Sequence, residues 1–330
     1  MNCIFCNDEI NEKNFSREHI IPESLGGKFV IDNVCKECNS RIGADFEDKL
    51  NKNTIITFIL SYYLIKNKSY KYVTPHIKPF GDKKTIFKMT DDGQIYMHTL
   101  TNVVENGKNT IIEFDKTESQ KYIEGTVNKK INRLNKKQGS NIPNYCEDSK
   151  QNFKETEKLE YGDYVPFKME MDLSILVKLF IKISYEFAYI YLDSDYSNDN
   201  VSIMLKKIIS LTDEDFNKYL SSDQSMIQVE YDTERIEECI GKVIKTSQLN
   251  TENIHYKKEL KPSSNGDYIH KVSMFNEKGK IFVNINLFDI FLGRICVSED
   301  ANKYVDKSGK LMELITGRKN NKVINKLIRN

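Results

Sequence analysis

Apolar positions change their period several times along the chain, and each change marks an element. From 171 to 190 the run MDLSILVKLFIKISYEFAYI is almost continuously apolar, broken by Asp172, Lys178, Lys182 and Glu186, the last three recurring every four residues. That spacing is the polar stripe of a mostly buried helix, predicted over 169–192. A second helix is predicted over 52–66, around the apolar run IITFILSYYLI. Alternation takes over in TIFKMTDDGQIYMHTL and NTIIEFD, which read as a β-meander turning at DDGQ. A basic helix follows at 118–137, then a loop-like stretch at 138–166 with Pro143 and Pro166, read as an interdomain linker. Further helices are predicted at 199–210 and 213–221, the latter capped by Thr212 with Glu214 and Asp215 in its first turn. Strands are predicted near 225–231, 252–260, 267–275 and 280–286, the last two joined at NEKGK. No internal repeat and no Gly-rich phosphate loop is present in the sequence.

This order of elements indicates an α+β protein, and 330 residues are enough for two domains or for a large domain with a small module attached. With 39% hydrophobic and 29% charged residues, the composition is that of an ordinary globular chain. Neither apolar run spans a membrane: 55–65 is about half the ~20 residues required, and 171–190 carries four charges. The N-terminus MNCIFCNDEI has no basic segment and no apolar signal core, so a cytoplasmic location is expected.

Cysteine placement adds chemistry to this frame. Four of the seven cysteines fall in the first 38 residues as CIFC (Cys3, Cys6) and CKEC (Cys35, Cys38). Two C-x-x-C pairs in a reducing compartment read as one four-thiolate zinc site, with a redox pair or buried thiols as the blander alternatives. Such a zinc would let some 50 residues fold with little core of their own. Four thiolates close the tetrahedron, so this metal is structural and any chemistry comes from its neighbours. Those are Glu18, His19 and Asn33 between the pairs, and Asn39 just after them. Carboxylate and amide oxygens suit a hard ion such as Mg²⁺, and a neutral imidazole can take a proton from water. Together they fit a one-metal phosphodiesterase.

The order C-x-x-C, EHIIPESLGG, NVCKECNSRIG resembles the HNH endonuclease family, in its cysteine-bearing branch, over about residues 3–50. The resemblance implies a small zinc-stabilised ββα-metal module at 1–50, followed by a larger mixed α/β region at 51–330. It implies His19 as the general base, Glu18 as a metal ligand, Asn33 as the brace that orients the histidine, and Asn39 as the second metal ligand. Asparagine at this last position directs the expected catalytic metal to Mg²⁺ or Mn²⁺. In a regular strand Glu18 and His19 would face opposite sides, so the strand is expected to end or distort there. Pro22, Gly26 and Gly27 are compatible with an irregular segment. After Asn39, Ile42, Phe46 and Leu50 stand at helical spacing with Glu47 and Asp48 outward, and Gly43 is expected to let this helix pack closely on the hairpin. Glu47 reads as a solvated helix face, with an extra carboxylate near the metal as the alternative.

Charge separates the cutting residues from the expected grip. Residues 1–50 hold six Lys/Arg against ten Asp/Glu, whereas 116–137 hold seven against two and 303–330 eight against two. Lys129, Lys130, Arg133, Lys136 and Lys137 are the first candidates for contact with phosphates, and 303–330 the second; a solvated helix face is the alternative for each. His76, His98, His255 and His270 are isolated and read as structural or surface residues. The function expected is metal-dependent hydrolysis of phosphodiester bonds, with double-stranded DNA as partner, and the resemblance implies a mobile-element, restriction or anti-phage setting. The rivals are a zinc module that binds nucleic acid or protein without cutting, and a nuclease held in check by a 51–330 region that senses a ligand or partner protein.

Overall fold

The first fifty residues follow local signals. The structure, a computed structural model, describes residues 1–65, 73, 85–89, 95–99, 102–106, 109–113, 120–139, 141–146, 153–155, 172–192, 194–222, 226–241, 267–304, 312–320 and 322–329. Strand β1 (Glu18–His19) pairs antiparallel with β2 (Val30–Ile31), Glu18 opposite Ile31 and His19 opposite Val30. Pro22 starts a single 3₁₀ turn, Glu23–Leu25, which Gly26 closes at φ 90°. Gly27 has no room for a side chain, since a Cβ there would stand 1.9 Å from the Ile21 carbonyl oxygen. The strand therefore ends after two residues, as the proline and glycines foretell.

Helix α1 (Lys36–Ile42) is capped by Cys35, whose Sγ accepts from Cys38 N. It runs into a π-helical turn, Gly43–Glu47, before α2 (Asp48–Leu50). Gly43 does not serve a close approach: a Cβ there would meet nothing within 4 Å. The backbone instead widens at this point, and the expected packing role of Gly43 is not observed. Helix α3 (Thr54–Tyr62) follows, capped by Asn53, whose Oδ1 accepts from Ile56 N at 3.2 Å.

Strands β3 (Thr85–Met89) and β4 (Ile95–Thr99) form a hairpin. Strands β5 (Asn102–Asn106) and β6 (Asn109–Glu113), helix α4 (Gln120–Gln138) and strand β7 (Phe153–Glu155) form a second unit. Its core is Val103, Ile112, Ile123, Val127, Ile131, Ile142 and Tyr145. Within the stretch expected to be a linker, 141–146 is ordered against α4, where Asn128 and Asn135 each exchange two hydrogen bonds with the backbone of Tyr145 and Ile142. The turn at 91–94 and the strand predicted at 252–260 lie outside the described residues.

The larger core is built on helix α5 (Leu173–Leu192), with α6 (Asn200–Ile209) and α7 (Asp213–Ser222) beside it. Thr212 caps α7 as expected, accepting from Asp215 N at 3.2 Å. Helices α5 and α6 lie on a six-stranded antiparallel sheet made of β8 (Ile227–Tyr231), β9 (Tyr268–Glu277), β10 (Lys280–Leu287), β11 (Phe291–Ser298), β12 (Met312–Lys319) and β13 (Lys322–Arg329). The order across the sheet is β13-β12-β9-β10-β11-β8. Along β9 and β10 buried positions such as Val272, Met274, Val283 and Ile285 alternate with more exposed ones, one face meeting the helices. Gly293 on β11 is the point of closest approach, since a Cβ there would stand 2.4 Å from the Phe180 ring. Within the basic 303–330 segment, Met312–Lys319 and Lys322–Arg329 pair as a β-hairpin and do not form a helix face. This core is continuous with the N-terminal module: Ile4, Ile20, Leu25 and Val34 belong to the same apolar cluster as Phe180, Val272 and Leu314. No helix among the described residues is long and apolar enough to cross a membrane.

Candidate active site

Two clusters of chemistry-bearing side chains meet at the β1–β2 hairpin. In the first, the Sγ atoms of Cys3, Cys6, Cys35 and Cys38 all lie within 4.8 Å of one another. The loop Cys3–Asn7, with Asn7 at φ 66°, and the first turn of α1 bring the pairs together. Backbone N–H groups point at sulfur, Cys35 N at Cys3 Sγ (3.3 Å) and Cys38 N at Cys35 Sγ (3.5 Å). Burial, joined by neighbouring thiols, pushes the Cys6 thiol up to about 12 and that of Cys38 higher still. A divalent cation reverses this, since it binds thiolates and stabilises them. The cysteine tetrad is therefore compatible with a structural zinc.

In the second cluster, Glu18 and His19 diverge as alternation along a strand requires, so the distortion expected to turn both towards one ion is not observed. Glu18 turns inward and is 4% exposed, while His19 is half-buried on the other side. Burial lowers the pKa of His19, Glu23 raises it in part, and the nearby Lys182 and Lys28 cations lower it again, so the imidazole is neutral near pH 7. Among the described residues no side chain is hydrogen-bonded to the His19 ring, which leaves it available to a water molecule. Asn39, in α1, donates from Nδ2 to Ser16 Oγ (2.6 Å) and to the Arg17 carbonyl (3.0 Å), tying the helix to the residues just before β1. Both bonds use the amide nitrogen, so Oδ1 remains an acceptor. Asn33 braces the hairpin through its backbone, its carbonyl accepting from Ile4 N at 3.0 Å, while its side-chain Oδ1 is buried with no hydrogen bond and makes none to His19.

One group in this cluster, Lys182, is not anticipated from the sequence, and a second, Glu47, follows only the alternative to its solvated reading. Lys182 of α5, fully buried, bonds the Glu18 carboxylate and the His19 carbonyl (2.7 Å), with the Ile20 carbonyl at 3.4 Å. Glu47 Oε1 lies 3.5 Å and Glu186 Oε2 3.2 Å from the same ammonium. Burial alone would lower the lysine's pKa, but Glu186, Glu18 and Glu47 outweigh it and hold the ammonium charged. Burial raises the pKa of Glu186. Glu47, the second group, departs from the solvated face that helical spacing predicts. The π turn that ends at Glu47 adds a residue to the helical repeat and rotates its side chain inward. The signal available in the sequence is the Lys178–Lys182–Glu186 stripe, which is buried in its entirety.

On α4 the apolar positions Ile123, Val127 and Ile131 face the smaller core, while Lys129, Arg133, Lys136 and Lys137 are exposed and Lys130 is half-buried. The basic side chains thus share the solvent side of one helix.

No curated protein and no solved structure matches the chain. Residues 3–55, which hold the cysteine tetrad, the β1–β2 hairpin with Glu18 and His19, and the helix with Asn39 and Glu47, match the family model of an HNH endonuclease.

Proposed function

We propose that the chain is a metal-dependent endonuclease that hydrolyses phosphodiester bonds in double-stranded DNA. The observation that carries this reading is a half-buried His19, its ring open to water, on a strand that the cysteine tetrad and Asn39 hold, all within the matched 3–55 segment. By donor chemistry Glu18 and Asn39 Oδ1 suit Mg²⁺ or Mn²⁺, an ion that would screen the phosphate and the leaving oxygen, and to ligate it Glu18 would have to share its carboxylate with Lys182, against which it is buried on the face of β1 away from His19. His19 takes the proton of the attacking water at its unprotonated ring nitrogen, and the hairpin holds that ring at the protein surface. The cysteine tetrad keeps β1 and α1 in register without taking part in the reaction. The exposed basic side of α4 supplies the grip on the sugar–phosphate backbone that the acidic 1–50 module does not.

Plasmid cleavage with and without Mg²⁺ tests the reading. Glu18→Ala and Asn39→Ala are expected to impair cleavage while zinc content stays at about one per chain. Cleavage at the normal rate in both variants, or none from wild-type protein with any divalent ion, would count against it and in favour of a non-cutting zinc module. Because the His19 pKa lies below its ordinary 6.5, the rate is expected to hold through neutrality and to fall only in more acid solution.

A further inference from the structure

Resting on that nuclease reading, we infer that Lys182 is a positioning residue of the active site, so that helix α5 completes a centre whose motif ends more than a hundred residues earlier. An ammonium has three N–H donors and no acceptor. Here it reaches three consecutive residues of one short segment, the Glu18 carboxylate, the His19 carbonyl and, at 3.4 Å, the Ile20 carbonyl, with Glu186 of its own helix at 3.2 Å. Glu47 at 3.5 Å and Glu186 at 3.2 Å surround the same cation and keep it in place.

The need for such a clamp follows from β1 itself. A two-residue strand pairing with one two-residue partner is marginal in isolation. Beyond that pairing, the ladder continues through Ile20 N, which donates to the Phe29 carbonyl at 3.2 Å. Lys182 fixes the carbonyl of His19 and the side chain of the residue before it, and thereby fixes which way the imidazole projects. The planar guanidinium of arginine does not match three acceptors disposed around a point, so the site specifically fits lysine.

The test uses the full chain with Lys182→Met, and with Lys182→Met/Glu186→Gln, in which one of the carboxylates left behind is also neutralised. Hydrogen exchange should accelerate by about tenfold or more at residues 18–21 in both variants, while exchange at 35–42 and the zinc content stay at wild-type levels. Single-turnover cleavage should fall by about 10²-fold with little change in KM, as displacement of a catalytic group by about 1 Å produces. Wild-type exchange at 18–21 in either variant would overturn the inference. So would cleavage at the wild-type rate, or higher, once β1 is loosened. Loss of zinc together with fast exchange throughout 1–50 in both variants would also overturn it, by showing that Lys182 is merely structural. Should the wild-type protein cleave nothing with any divalent ion, the nuclease reading fails by itself, and the exchange experiment still decides whether Lys182 pins β1.

Discussion

The hairpin is held between two clusters that solve one electrostatic problem in different ways. The thiols of Cys3, Cys6, Cys35 and Cys38 and the carboxylates of Glu18, Glu47 and Glu186 are both sets of like groups that need a cation at their centre. The thiols are arranged for an exchangeable ion, whereas the carboxylates enclose an ammonium tethered to the backbone of α5. The first cluster draws all its groups from 38 residues of chain; the second joins positions 18 and 182. A removable ion can be stripped by a chelator, while a tethered one leaves only by mutation, and the difference gives each cluster a separate experimental handle.

The largest effect is expected on the exchangeable side. Zinc contributes about 10–16 kcal/mol of apparent binding energy in small zinc-finger peptides, so Cys35→Ser or a strong chelator should unfold 1–50 first, read by limited proteolysis alongside elemental analysis. Resistance of 1–50 to protease after zinc is gone would show that the Lys182 cluster alone holds the hairpin, and would erase the contrast. Next comes the group between the clusters. His19→Ala should lower cleavage by the ~10²- to 10⁴-fold that follows removal of a positioned acid–base group, with zinc, fold and DNA binding intact. A near-normal rate would mean that neither cluster serves His19.

A third, neutral anchor sharpens the comparison by its pH dependence. His270 on β9 is fully buried, its Nε2 3.0 Å from the Leu25 carbonyl and its Nδ1 accepting from Phe288 N at 3.4 Å. Burial lowers its pKa to about 4, against 6.5 for the free side chain. The unfolded chain therefore binds the proton more readily, and the stability that His270 contributes is present above pH 6.5 and is lost as pH falls towards 4. The linkage amounts to about 3 kcal/mol at most. Thermal midpoints of wild-type and His270→Gln protein should diverge at pH 7 and converge near pH ~4.5, and parallel curves would exclude the effect. The smallest effect lies on α4: reversing charges among Lys129, Lys130, Arg133, Lys136 and Lys137 should weaken DNA binding and lower the salt slope by roughly one unit for every phosphate that is no longer neutralised. An unchanged slope would move the grip to the basic β12–β13 hairpin.

What can be read in the sequence follows the same division between local and distant. The cysteine pairs, the EHIIPESLGG loop and the cap at Thr212 act over a few residues, and their spacing carries their geometry. The stripe on 171–190 is legible as polar positions on a buried helix, but the partner of Lys182 is not, because nothing in a helical period says which distant strand will face it. Glu47 is misplaced by its spacing because one π turn shifts the phase of every later side chain, and no residue type marks such a turn. Strand β11 and the β12–β13 hairpin are not legible because FLGRICVS and MELITGRK mix apolar and basic residues without clear alternation. The sheet register decides which of those residues are covered, and register is set by long-range pairing.

The attachment of the hairpin to the sheet has a consequence for biosynthesis. Lys28 N donates to Thr316 Oγ1 at 3.1 Å, and the Tyr268 hydroxyl donates to the Gly26 carbonyl at 3.2 Å, so the loop after His19 is seated on strands translated hundreds of codons later. While those strands are still inside the ribosome, the nascent chain displays the hairpin without α5 or β12 to seat it. The hairpin thus acquires its supports only when the polypeptide carrying them has emerged.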